Sequence, residues 1–327
     1  MAFVYGCEIF TADALRITWG INEGASLGAL SEASLGDIYT VDADIPPVDV
    51  ALRIDQGIRI DAVTEPKPAT LLPGNRVVIC GEMRFMSSDG EVVSAMLLLA
   101  GGVHLLLPLN PMRAGTGYAL IATDGTVTEL RMSELVTGCF TSGARVTLGD
   151  GALCAVDALE VGMLIRTRDH GAQPLRWIGR VTKRAHGRFA PVTFPPGTLG
   201  NLGTLSVGPL QRIFLYQRGE DRLGARAEVL VQAQYLVDGR RVLQRDADFV
   251  EYFSLVFDQH QIIYVEGIPV ESLLVSRATL DRLPTELAQD LSQRFPQLNQ
   301  HAHFAQDIPI GQITPDQRAA ILLAKEK

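Results

Sequence analysis

The sequence predicts a mainly β protein with a β-rich N-terminal domain over residues 1–135, a second β domain over 136–276 and a short helical tail over 277–327. Three observations carry this reading. Apolar residues recur in short runs with the period of two that half-buried strands show. Gly, Pro and Asp separate those runs at short intervals, as tight turns require. After about Arg277 the texture changes to helical spacing, with Pro near the start of each apolar stretch.

In the first domain, Ala51-Leu-Arg-Ile-Asp and Ile58-Arg-Ile-Asp-Ala-Val alternate as strands do. Asn75-Arg-Val-Val-Ile-Cys-Gly, Val92-Val-Ser-Ala-Met-Leu-Leu-Leu and Tyr118-Ala-Leu-Ile-Ala-Thr continue the pattern. The turn pair Asp124-Gly125, followed by Thr126-Val-Thr-Glu-Leu, predicts a hairpin. Cys7, Cys80 and His104 have apolar neighbours and read as buried structural residues, so no chemical motif marks this half.

The second domain opens near Val136-Thr-Gly-Cys-Phe-Thr. Its strand segments are Ala144–Leu148, Leu164–Arg168, Leu175–Val181, Gln211–Tyr216, Val250–Phe257 and Gln261–Val265. So many short strands predict one closed or strongly twisted β fold. In the tail, Pro284-Thr-Glu-Leu-Ala-Gln-Asp-Leu and Thr314-Pro-Asp-Gln-Arg-Ala-Ala-Ile-Leu-Leu predict two short helices.

Composition narrows the function classes. Hydrophobic residues make up 47% and charged residues 20% of the 327, enough apolar material for two cores at roughly 150 residues per domain. Lys and Arg number 29 against 37 Asp and Glu, a net charge of −8 that argues against a nucleic-acid partner. No apolar run is long enough to span a membrane, and the opening residues lack the basic region of a signal peptide, so the default expectation is cytoplasmic, with non-classical secretion left open. Four scattered cysteines make no disulfide scaffold. No cofactor or metal site is expected, since neither a phosphate loop nor a C-x-x-C pair occurs.

The stretch Gly138-Cys139-Phe-Thr-Ser-Gly143-Ala-Arg-Val-Thr147, then Asp150-Gly151, then Val156-Asp-Ala-Leu-Glu-Val-Gly162-Met-Leu-Ile-Arg, has a specific order: cysteine, glycine turn, strand, D-G hairpin, strand. Later blocks are Gln173-Pro-Leu-Arg-Trp177-Ile-Gly179-Arg180, Gly197-Thr-Leu-Gly-Asn201 and Phe257-Asp-Gln-His260-Gln-Ile-Ile-Tyr-Val-Glu266-Gly-Ile-Pro-Val-Glu271-Ser272. In this order they resemble the hedgehog/intein (Hint) autoprocessing domains, and specifically bacterial Hint-domain proteins with an unrelated N-terminal domain, over about residues 136–276. The resemblance implies an all-β, horseshoe-like, pseudo-symmetric fold with the first cysteine in a central cleft.

The chemistry follows from the residues as well. A thiol next to a glycine carbonyl can attack it through a five-membered ring, because Gly138 has no side chain in the way. The product is a thioester between Gly138 and Cys139, with the N-terminal domain as acyl donor and water, a thiol, an amine or an alcohol as acceptor. Without its surroundings Cys139 would read as an inert strand cysteine.

Two departures from the family pattern bear on activity. Relatives carry Ser/Thr-x-x-His on the strand facing the cysteine, and here Gly208 and Gln211 stand at those places. A glutamine amide can donate a hydrogen bond but cannot hand over a proton. Inteins end in His-Asn, and here Glu271-Ser272 runs into Leu-Leu, so succinimide formation has no reactant and splicing is not expected.

His260 lies in a block like the late intein histidine segment and is the remaining candidate acid/base, against the alternative of a structural histidine at a strand start. His170 and His186 read as solvent-facing turn residues, and His301 and His303 as a solvated tail element. Asp157 reads as a turn residue, Asp169 likewise, and Cys154 as core. The sequence therefore supports two readings: a single-turnover, hedgehog-like self-cleaving protein with Cys139 as nucleophile, or a catalytically inactive Hint-fold structural or interaction module.

Overall fold

The computed structural model describes residues 3–54, 57–63, 68–128, 130, 139–217, 222–276, 280, 283, 285–298, 300–308 and 313–323. The chain divides into two compact units, Met1–Ser133 and Glu134–Lys327.

The first unit contains β1 (Phe3–Thr11), β2 (Leu15–Trp19), β3 (Ile38–Val41), β4 (Val48–Ile54), β5 (Ile58–Val63), β6 (Arg76–Ser87), β7 (Val92–Ala100), β8 (Val103–Pro108) and β9 (Gly117–Asp124). Hydrogen-bonded neighbours run β6-β5-β4-β1-β8-β7, and β7 pairs back onto β6, so the ring closes into a barrel. The strands β9, β3 and β2 extend the sheet from β6.

The long strand β6 serves both arrangements by means of a bulge. Its start, Arg76 and Val77, pairs with β5, and its second half, Glu82–Ser87, pairs with β9. Between them the register against β7 slips at Ile79/Gly81. Gly81 has φ +147°, and a Cβ there would stand 2.6 Å from the Asp124 carbonyl. Only glycine allows that approach. Inside the unit, two apolar clusters form, one around Phe85, Tyr118 and Leu15, the other around Val50, Met96 and Leu105.

Among the described residues the hairpin expected after Asp124 does not form. The turn forms, with the Asp124 carboxylate accepting from the Thr126 N–H at 2.9 Å and from its hydroxyl at 2.7 Å. Residues 126–128 make no strand, and Val127 and Leu130 pack on an apolar cluster instead. The turn preference is thus met, and packing of the apolar side chains takes the place of the second strand.

The second unit begins with β10 (Cys139–Thr141), β11 (Arg145–Thr147), β12 (Leu153–Ala155), β13 (Leu164–Arg166), β14 (Ala172–Pro174) and β15 (Trp177–Ala185). It continues with β16 (Val192–Phe194), β17 (Leu205–Val207), β18 (Arg212–Tyr216), β19 (Glu228–Gln232), β20 (Leu243–Gln244), β21 (Ala247–Val256), β22 (Ile262–Val265) and β23 (Ile268–Glu271). One sheet has the order β15-β21-β10-β17-β16-β20, and another begins β12-β11-β22-β23-β18-β19. Phe140, Phe253, Val207, Ile213 and Val270 meet in one core.

The tail supplies α1 (Thr285–Arg294), β24 (Gln306–Ile308) and α2 (Pro315–Leu323). The helix start at Thr314 is a reciprocal cap: Gln317 N–H donates to the Thr314 hydroxyl at 3.2 Å and Thr314 N–H to the Gln317 side chain at 3.0 Å. The tail is not helical throughout, because β24 pairs in parallel with β19. It belongs to the second unit.

Candidate active site

The short strand β10 starts on the candidate nucleophile. Alternation along it sends Phe140 into the main core and Cys139 to the opposite face of the sheet. There Cys139 stands opposite Ser254 of β21, and Thr141 opposite Tyr252. One strand further, Ser254 faces Gly179 and Tyr252 faces Val181 of β15.

Cys139 is 1% exposed and packs with Tyr252, Val181 and Val250. The Tyr252 hydroxyl donates to the Phe189 carbonyl at 3.2 Å. Gly208 donates its backbone N–H to the Cys139 carbonyl at 3.0 Å. Burial pushes the Cys139 thiol well above its ordinary range, and the Gly208 N–H offsets only part of that. The resting sulfur is therefore a protonated thiol, and attack requires that its proton leave. Gly138, whose carbonyl would be attacked, lies outside the described residues.

Gln211 is fully buried in the turn after β17, where its N–H donates to the Gly208 carbonyl at 3.0 Å. Its side-chain amide donates to the carbonyls of Glu271 at 3.0 Å and Arg212 at 3.1 Å. Its Oε1 has no hydrogen-bond partner among the described residues. The His260 ring accepts from the His303 N–H at Nδ1, at 3.0 Å, which places the proton of a neutral ring on Nε2, 3.2 Å from Glu271 Oε2. Cys139 and Gly208 are thus brought together, whereas the side chains of Gln211 and His260 converge on Glu271.

Residues 138–277 match the sequence model of a family described as the Hint domain. This segment is a Hint domain. No curated protein matches the chain.

Within the Hint domain, Glu271 is the centre of a buried polar network that sequence reasoning missed. Arg212 donates to it at 2.7 Å through Nε, lies 2.6 Å from it through Nη2, and reaches Asp307 of β24 at 3.2 Å. Burial opposes ionisation of Glu271, but Arg212 and His260 beside it hold its carboxyl below the usual carboxylate range. Burial likewise opposes the Arg212 charge, and Glu271 and Asp307 outweigh it.

Of the other histidines, His170 is exposed and its Nδ1 lies 2.9 Å from the Gln261 side chain. His186 is half-buried and paired with Asp246. His303 corrects the reading of a solvated tail: its side chain is buried, its Nε2 lies 3.0 Å from Asp169, and its ring packs edge-on against Phe214. Asp157 accepts from the Ser142 hydroxyl and, at 2.6 Å, from the Gly143 N–H, as a turn residue does. Ser272 is fully buried and its hydroxyl accepts from the Gln261 N–H at 3.0 Å. Cys154 is partly buried against the core. Among the described residues no His/Cys/Asp/Glu cluster could hold a metal ion, and no helix is long and apolar enough to cross a membrane.

Proposed function

We propose that this Hint domain cleaves its own chain: the Cys139 thiol attacks the Gly138 carbonyl, the C–N bond breaks, and the N-terminal unit is left as a thioester on Sγ. A small external nucleophile then takes the acyl group. The observation that carries the reading is the position of Cys139, a buried thiol on the first strand of the Hint domain, just past the boundary between the two units at Ser133/Glu134. Breaking the peptide bond there would separate two units that each have their own core.

The shift is expected to be slow. The thiol is held protonated, and Gln211 can donate a hydrogen bond but no proton, where general acid catalysis is typically worth about 10²- to 10⁴-fold. Splicing is not part of the proposal, because Ser272 has no side-chain amide with which to cyclise.

A second reading, an inactive structural or interaction module, has its own supporting observation. Gln211 and His260 both point their polar groups at Glu271, as parts of a rigid core would. The test is the intact mass of the purified chain after overnight incubation, with and without dithiothreitol or hydroxylamine. Self-cleavage yields a 138-residue piece and the remaining 189 of the 327, and Cys139→Ala yields neither. An unchanged mass under every condition selects the module.

A further inference from the structure

The acyl shift moves one proton, from the Cys139 sulfur to the nitrogen that becomes the Cys139 amine. We infer that the Ser254 hydroxyl carries it, as a relay between Sγ and that nitrogen; the inference rests on the self-cleavage reading above.

Ser254 is the direct cross-strand partner of Cys139. Partners in an antiparallel ladder project to the same face, with Cβ atoms about 4.5–5.5 Å apart. The neighbours of Cys139 agree, since Tyr252 and Val250 alternate in step with Ser254 along β21. Ser254 is 1% exposed, and its Oγ has no hydrogen-bond partner among the described residues. A buried hydroxyl without a partner is uncommon and destabilising at rest, which is the condition expected of a group whose partner is a reacting atom.

The other hydroxyls on this face are engaged. Tyr252 donates to the Phe189 carbonyl and Thr141 to the Ser206 carbonyl at 3.1 Å. On the far side of Ser254 stands Gly179, over which the Trp177 ring folds so closely that a Cβ would meet it at 2.2 Å. Ser254 is therefore enclosed between an indole ring and the thiol.

A hydroxyl is donor and acceptor at once. As Sγ bonds to the Gly138 carbon, Ser254 Oγ accepts the thiol proton and passes its own to the departing nitrogen. The C–S bond forms, the C–N bond breaks, and the hydroxyl ends as it began. No histidine is needed for that transfer.

The experiment compares full chains of wild type, Ser254→Ala, Ser254→Thr and Cys139→Ala in hydroxylamine. Release of the 138-residue piece is followed by intact mass, and thermal unfolding is measured in parallel. Ser254→Ala is expected to slow release by about tenfold or more, within what a positioned proton-transfer group supplies. It should melt no lower than wild type, because the hydroxyl removed had no partner. Ser254→Thr keeps the hydroxyl and should recover most of the rate, and the slowing of wild type in D₂O should be lost in Ser254→Ala. Equal rates for wild type and Ser254→Ala overturn the relay while leaving self-cleavage intact. So does a slow Ser254→Ala that also melts low and is not rescued by Thr. Failure of wild type to release any Cys139-dependent fragment overturns the self-cleavage reading, and the relay with it.

Discussion

Gly208 holds the carbonyl of Cys139 through its backbone N–H at 3.0 Å, at the position where the family pattern places a Ser or Thr side chain. A main-chain contact of this kind survives any substitution at residue 139. Cys139→Ala should therefore keep the β10 ladder and lose only the packing of one sulfur against Tyr252, Val181 and Val250. The expected destabilisation is about 1 kcal/mol, read from the urea midpoint, and a collapse of cooperative unfolding would make Cys139 a structural residue.

The same burial sets a pH dependence. The folded thiol binds its proton more tightly than the unfolded one, whose pKa is about 8.5. Its contribution is thus complete below that pH and is lost as pH rises toward the folded value, by about 1.4 kcal/mol per pH unit. Cys80 is also raised by burial and acts in wild type and Cys139→Ala alike, so it cancels in the difference between the two. Stability of wild type minus that of Cys139→Ala should fall between about pH 8.5 and 10 in urea titrations. A difference that stays flat would place the thiol in contact with solvent.

Glu271 makes the opposite case. Its carboxyl titrates below the usual range, so its contribution is present above the unfolded pKa of about 4.3 and is lost as pH falls through the folded value. Replacing it with Gln leaves the partly buried Arg212 with Asp307 as its counter-charge among the described residues. Glu271→Gln should lose on the order of 3 kcal/mol at neutral pH, as removing one partner of a buried pair does. The gap to wild type should narrow in acid, a trend that equilibrium unfolding at pH 7 and pH 3 checks directly.

The strands were largely legible because their cause is local. Alternation in Ile58–Val63 and the apolar run over Val250–Val256 mark strands locally, and the structure forms β5 and β21 there. Barrel closure was not legible, since β6–β7 contacts and the β1–β4 ladder are choices of partner that no local pattern encodes. Cys139 announced itself through an ordered motif. The Glu271 network did not, because Arg212, His260 and His303 are dispersed in sequence and meet only when the tail returns beside β19. His303 looked solvated for that reason. Ser254 looked like an ordinary strand residue, and its significance lies in register alone.

The tail also covers an aromatic residue. Trp177 is 2% exposed, packs with Leu273, Val275, Leu283 and Leu291, and donates its indole N–H to Asp290 of α1 at 2.7 Å. The chain has two tryptophans, and the other, Trp19, is 62% exposed. In a Trp19→Phe background, Asp290→Ala should shift emission to longer wavelength and lower stability by about 1.5 kcal/mol, as loss of a charge-assisted hydrogen bond does. Unchanged emission would mean that the apolar cluster holds α1 in place without this bond.

The last prediction asks whether the domain lacks an acid or lacks more. Gln211 occupies the expected histidine position and gives its amide to the Glu271 carbonyl, a bond that one N–H of an imidazole can replace. Gly208 does not have a left-handed φ, so Thr fits its backbone. Gln211→His with Gly208→Thr should therefore fold and restore both a hydroxyl and a proton donor on the turn that touches Cys139. If the nucleophile and its relay are intact, hydroxylamine-induced release of the 138-residue piece should rise by roughly 10²-fold, the lower range for a positioned general acid. A variant with an unchanged circular dichroism spectrum and no fragment after days would show that supplying the acid is insufficient. The arrangement of Gln211 and His260 around Glu271 would then be the working state of a structural module.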